Sequence, residues 1–142
     1  MFRMTDEKLA DSASLRLAAL GERLTRALGR RLESVGLTPR QAAYLAALEE
    51  GPLSQRDIAG ALSVAPSLVV TLTDQLSASG AVTRTRGEAD RRVQLVALTD
   101  HGRDRAAAAA IAAAAADADF TAGLSQSARL GLDVLLAELG SR

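Results

Sequence analysis

Residues 84–102 read RTRGEADRRVQLVALTDHG, and this segment changes character twice. Val82-Thr83-Arg84-Thr85-Arg86 and Arg92-Val93-Gln94-Leu95-Val96-Ala97-Leu98 are rich in Val, Thr and Leu. Gly87-Glu88-Ala89-Asp90 separates them, which predicts a β-hairpin with a four- or five-residue loop. Thr99 then stands where a helix needs a side-chain oxygen for its free N–H groups, so a long helix is expected from about Asp100. Arg84, Arg86, Arg91 and Arg92 flank the hairpin tip, in a chain that has 17 basic and 17 acidic residues and no net charge. Four cations at one turn therefore mark a local device and not a globally basic surface. Such a tip suits backbone phosphates or the minor groove of DNA, where negative potential favours arginine. The alternative is a solvated hairpin whose arginines pair with Glu88 and Asp90.

Working upstream, two short amphipathic segments precede the hairpin. Ile58, Ala59 and Leu62 give the first an apolar face, and Leu68, Val69, Leu72 and Leu76 give one to the second. Only a few residues separate them, which predicts a helix-turn-helix, although plain helical bundles contain such pairs too. Gly36, Gly51, Gly80, Gly123 and Gly140 each follow an apolar-periodic run, where a helix end tolerates a left-handed residue. Thr38-Pro39-Arg40-Gln41 has the pattern of a capping box with proline at the first helical position, and Ser54-Gln55-Arg56-Asp57 that of a second cap. The resulting helices are expected over 5–34, 39–50, 55–62, 66–79, 100–122 and 126–139.

Composition bounds the rest. Apolar residues make up 48 % of 142, aromatic ones only 2 %, so the core is built from Leu, Val and Ala, which favours helix. There is no cysteine, hence no disulfide and no thiol chemistry. The N-terminus has no apolar core of signal-peptide length. The longest apolar run, 106–116, is mostly alanine and too short to span a bilayer, so a soluble cytoplasmic protein without membrane association is expected. His101 is the sole histidine, and no nucleophile elbow, phosphate-binding loop or His-rich metal motif accompanies it. Neither an enzyme nor a metal or cofactor site is expected.

The segments LTPRQAAYLAALEEGPLSQRDIAGAL and LTDQLSASGAVTRTRGEADRRVQLVALTDHG resemble, in order and spacing, the MarR family of bacterial transcription regulators. The DRR and LT..G pattern after the hairpin carries the most specific likeness. The resemblance implies a mainly α fold with a small β-hairpin wing, a winged helix-turn-helix with dimerisation helices from both termini. Within one domain, 1–142, residues 37–99 would form the DNA-binding lobe and 5–34 with 100–140 the dimerisation helices. It implies a homodimer on a palindromic double-stranded operator, often a repressor released by a small apolar or phenolic ligand. Asp90 would orient a neighbouring arginine, Arg92 would enter the minor groove, and Ser67 would lie near the start of the recognition helix. With Arg40, Arg56, Val70, Thr71, Gln75, Arg84, Arg86 and Arg91, these are the expected DNA-contacting residues. One departure stands out: no lysine or arginine occurs from Asp57 to Thr83, and Thr71 stands where relatives commonly carry arginine. Bidentate guanine contacts from that helix are therefore unavailable. A module that binds a ligand or protein but has lost its operator is the competing reading.

Two further expectations follow. Leu9, Leu15, Leu17 and Leu20, with Leu130, Val134, Leu135 and Leu139, form stripes without an evident partner in the winged lobe, which predicts pairing between two chains. The family's ligand crevice lies between the two lobes, where Tyr44, the sole tyrosine, is expected among Leu17, Leu24, Leu28, Leu45 and Leu48. The alternative for Tyr44 is a half-buried packing residue.

Overall fold

The computed structural model describes residues 8–140. A single 3-10 turn, Leu9–Asp11, leads into α1 (Ala13–Leu32). There follow α2 (Pro39–Ala47), β1 (Leu53–Ser54), α3 (Gln55–Leu62), α4 (Pro66–Ala78), β2 (Val82–Arg86), β3 (Gln94–Leu98), α5 (Asp100–Thr121) and α6 (Gln126–Gly140). The winged helix-turn-helix is present, and its two helices turn by 111° at the break between α3 and α4. Among the described residues no single helix is long and apolar enough to cross a membrane.

The local start signals act as read. Thr38 accepts the Gln41 N–H at 3.2 Å while the Gln41 side chain accepts the Thr38 N–H at 3.0 Å, a reciprocal box. Ser54 accepts the Asp57 N–H at 3.1 Å, and Thr99 that of Gly102 at 3.0 Å. Ser63 ends α3 in the left-handed region, φ 51°, inside the tight turn to α4. Two boundaries differ from expectation. The first helix begins at Ala13, because residues 9–11 form a separate 3-10 turn whose Ser12 N–H returns to Leu9; the expected start at Thr5 lies outside the described residues. The second helix stops at Ala47 and not near 50, since the N–H groups of Leu48, Glu49 and Gly51 turn back onto carbonyls only three residues earlier.

The sheet has three antiparallel strands in the order β1-β3-β2, where two were expected. Leu53 pairs with Val96 and Ser54 with Leu95, so β3 is the central strand. A two-residue strand has no periodicity to read, which is why sequence alone misses β1. On the other side β3 pairs with β2 from Val82–Leu98 to Arg86–Gln94.

The core is one apolar cluster beneath the sheet and the helix-turn-helix. Leu32, Tyr44, Leu45, Ile58, Val69, Leu76 and Val96 are fully or almost fully buried in it. Its alanine content has a packing use: Ala106 and Ala109 are buried on α5, which packs on both α1 and α2. Methyl side chains let the helix backbones approach. α6 differs, having no buried residue, and it exposes Leu130, Val134, Leu135, Leu136 and Leu139.

Candidate nucleic-acid interface

α4 turns one face into the core through Val69, Leu72, Thr73 and Leu76. The other face presents Ser67, Val70, Thr71, Asp74 and Gln75 to solvent, all five exposed. Several of these groups already have partners. The Thr71 hydroxyl donates to the Ser67 carbonyl at 3.2 Å, and Gln75 accepts from the Gln41 side chain at 3.1 Å. Arg40 and Arg56 lie in the first turns of α2 and α3, both exposed.

β2 places the next cation. Strand alternation puts Val82, Arg84 and Arg86 on one face. Val82 is buried, and β2 packs on α4. Arg84, two residues on, accordingly reaches Asp74 of α4 and donates to its carboxylate at 2.6 Å. A cation is thus supplied to the exposed surface of α4 from the neighbouring strand. Pairing of the wing arginines with the side chains of Glu88 or Asp90 does not occur among the described residues.

The wing loop runs from Gly87 to Val93, seven residues and longer than expected, because β3 begins at Gln94. Arg91 and Arg92 therefore sit in the loop, exposed with Arg86 beside them. Asp90 organises this loop through the backbone: its carboxylate accepts the Arg92 N–H at 2.9 Å, and its carbonyl accepts the Val93 N–H at 3.1 Å. The Gly87 N–H closes the loop on the Val93 carbonyl at 2.9 Å. Gly87 is buried, and a Cβ there would meet the Asp90 carbonyl oxygen at 2.9 Å. Asp90 thus positions Arg92 by holding its main chain.

Sequence reasoning passed over the joint beneath the wing. The Thr99 hydroxyl donates toward the Gly80 carbonyl at 2.6 Å and lies 3.1 Å from that of Ala81, while the Thr99 N–H donates to Ala81 at 3.1 Å. A Cβ on Gly102 would stand 1.9 Å from the Ala81 oxygen, so only glycine lets α5 dock there. Arg103 caps the same joint on the Leu98 carbonyl at 3.1 Å, and Arg105 reaches from α5 to the Gly36 carbonyl at 2.8 Å. The LT..G pattern was the available signal, but its contacts are long-range.

Of the expected ligand residues, Tyr44, Leu45 and Leu48 share the core cluster with Leu28 packed against it. Tyr44 is fully buried, and its hydroxyl bonds that of Thr73 at 2.6 Å; Thr73 in turn donates to the Val69 carbonyl at 2.7 Å. Burial raises the Tyr44 pKa above its ordinary value, against the smaller opposing effects of that hydrogen bond and of Arg84. Tyr44 is therefore a core residue in this conformation, more deeply placed than either expectation allowed. Leu45 is buried with it, and Leu17 is about half exposed on α1. Leu48 borders a cavity of about 350 Å³ against Pro52, Leu98 and Ala106. Leu24 and Leu28 border a separate cavity of about 280 Å³ between α1, α5 and α6.

Comparison with known proteins bears on all of this. A sequence model of the MarR family matches residues 35–93. The HTH-type transcriptional repressor MdtR of Bacillus subtilis is 34 % identical over 97 residues, which is 68 % of this chain and 63 % of that protein. The chain thus spans just under two thirds of that curated relative. A transcriptional regulator (MarR family) from Rhodococcus sp. RHA1 superposes with a TM-score of 0.87 at 26 % identity, over 95 % of this chain and 96 % of the other. CouR from Rhodococcus jostii RHA1, solved bound to p-coumaroyl-CoA, has a TM-score of 0.83 at 27 % identity over 95 % and 96 % of the chains. CouR bound to a 23-mer DNA duplex has one of 0.84 at 28 % identity over 99 % and 100 %. With its helix-turn-helix, its arginine-bearing wing and these likenesses, the chain belongs to the MarR family.

Proposed function

We propose that this chain is a homodimeric, DNA-binding transcriptional regulator of the cytoplasm, a repressor released from a palindromic operator by a small ligand. Residues 37–99 form its DNA-binding lobe, and α1, α5 and α6 its dimerisation helices. The observation that carries the reading is the set of exposed side chains of Arg86, Arg91 and Arg92 at the tip of a hairpin whose Arg84 reaches the exposed face of α4. Arginines so placed are suited to phosphates and the minor groove. CouR, a relative with the same fold, has been solved on a DNA duplex.

Affinity on this reading comes mainly from the wing and the phosphate backbone. The outward face of α4 has no cation of its own, and Asp74 on it is neutralised by Arg84. Base discrimination falls to Ser67, Val70 and Thr71, which offer hydroxyl donors and a methyl contact for thymine. Dimerisation is supported by α1 and α6, which expose Leu15, Leu17, Leu130 and Val134, and by Ile111 on α5 with 75 % of its surface free. A leucine-sized side chain contributes about 1.5–3 kcal/mol when fully buried, so joining these faces stabilises a dimer strongly.

The test is mobility shift on the DNA upstream of the chain's own gene. Arg92→Ala is expected to weaken binding to most sequences and to flatten the salt dependence by about one unit of slope for each phosphate the variant no longer reaches. Unchanged binding of that variant at every salt concentration would refute the wing's role. The uncharged face of α4 favours one other reading, a dimeric ligand-binding module without an operator. Absence of any shift by the parent protein would select it.

A further inference from the structure

Gln41 serves two elements at once. Its side-chain oxygen accepts the Thr38 N–H at 3.0 Å within the capping box of α2, and its nitrogen donates to the Gln75 oxygen on α4 at 3.1 Å. The two glutamines are 34 residues apart, and α2 packs on α4 to bring them together.

A side-chain amide carries a donor and an acceptor on one planar group, so its partners decide which end faces where. Here the choice begins at the backbone. The Thr38 N–H only donates, so it takes the Gln41 oxygen and leaves the Gln41 NH2 for α4. That NH2 only donates, so it takes the Gln75 oxygen. Gln75 is exposed, and its own NH2 has no protein partner among the described residues. The relay from Thr38 through Gln41 therefore turns the Gln75 oxygen to α2 and its donor outward. Gln75 also holds the sole side-chain nitrogen of α4, since the helix has no lysine, arginine, histidine or asparagine. Its neighbour Asp74 is already held by Arg84.

An unrestrained glutamine in the major groove pairs with adenine, its oxygen on the N6 amino group and its nitrogen on N7. A glutamine whose oxygen is committed to Gln41 has no acceptor to give to that amino group. Guanine shows acceptors at both N7 and O6, which suit an outward NH2.

We propose that Gln41 is a positioning residue that locks Gln75 as a donor, so that α4 reads guanine at the base pair Gln75 meets. An amide then supplies the guanine contact for which α4 lacks a cation. The inference rests on the DNA-binding reading above and names a specificity determinant within it.

The experiment is selection of bound sequences from a randomised duplex library by the full chain, followed by mobility shift on duplexes that differ at one base pair. Gln75→Leu locates that pair: the parent enriches guanine there, and the variant loses that preference alone. Gln41→Glu reverses the relay. A glutamate still accepts the Thr38 N–H, so the capping box is kept, but its carboxylate also accepts from the Gln75 NH2 and turns the Gln75 oxygen outward. The ratio of guanine to adenine affinity at the located position is expected to fall by about tenfold or more. Both affinities are measured on the same protein, so the added negative charge cancels in the ratio. An adenine at that position in the parent's sites, an unchanged selection by Gln75→Leu, or a parental ratio in Gln41→Glu overturns the inference and leaves the regulator reading intact. A parent protein that enriches no sequence refutes the regulator reading and this inference with it.

Discussion

Replacing Gly102 with alanine puts a methyl carbon 1.9 Å from the carbonyl oxygen of Ala81. Carbon–oxygen contacts settle at about 3.3–3.6 Å, so the two backbones must part by more than about 1 Å. Neither partner is the flexible end of a side chain; both are main chain at the root of the wing. The separation falls on three bonds that join α5 to the start of β2: Thr99 hydroxyl to Gly80 at 2.6 Å and to Ala81 at 3.1 Å, and Thr99 N–H to Ala81 at 3.1 Å. At about 0.5–1.5 kcal/mol each, breaking them costs about 3 kcal/mol, and the buried packing around Ala81 adds to it. Alanine in place of glycine returns up to about 1 kcal/mol through helix propensity. The net expectation is a destabilisation of about 2–4 kcal/mol, a large share of the roughly 5–15 kcal/mol typical of a domain. Urea denaturation followed by circular dichroism measures it. Gly60→Ala is the control: this α3 glycine has nothing within 4 Å of where a methyl group would stand, so propensity alone should hold or raise stability. A Gly102→Ala protein within about 0.5 kcal/mol of the parent would refute the close docking of α5 on the wing.

Other expectations follow from single side chains. Tyr44→Phe should cost about 1 kcal/mol for the missing bond to Thr73, whereas Thr73→Val should cost about 1–3 kcal/mol, because it strands a buried hydroxyl; denaturant titration separates them. Since burial raises the Tyr44 pKa, its contribution to stability is complete below the ordinary value of 10.0 and is lost as pH rises through the higher folded value. Tyr44→Phe should lack that alkaline loss, and an identical pH profile in both proteins would contradict the burial. If α4 meets DNA as proposed, Arg84→Ala should weaken binding more than removal of one phosphate-binding cation would, because it leaves the Asp74 carboxylate unpaired on that face, and adding Asp74→Ala should restore part of the affinity. The same pair is exposed, so its removal should change folding stability by less than about 1 kcal/mol. Val134→Asp, on the exposed face of α6, should convert the proposed dimer to monomer in analytical ultracentrifugation without lowering helix content.

How the chain divides into helices was legible in the sequence because helix ends are governed by groups three or four residues apart. Thr38 with Gln41, Ser54 with Asp57, and Thr99 with Gly102 are interactions of that range, and each occurs as read. The hairpin was legible from its Val- and Thr-rich flanks, and the family from the spacing of DRR and LT..G. Tertiary structure alone decided what lies far apart in the chain. Leu53 pairs with Val96, far along the chain, to add a strand too short to carry a pattern. Tyr44 meets Thr73 across 29 residues, a core hydrogen bond that no local pattern announces. Arg84 turns to Asp74 because β2 packs on α4, and Gly102 is required because α5 docks on Ala81. Local pattern reports which groups a segment must satisfy; which distant group satisfies them is settled only when the elements pack.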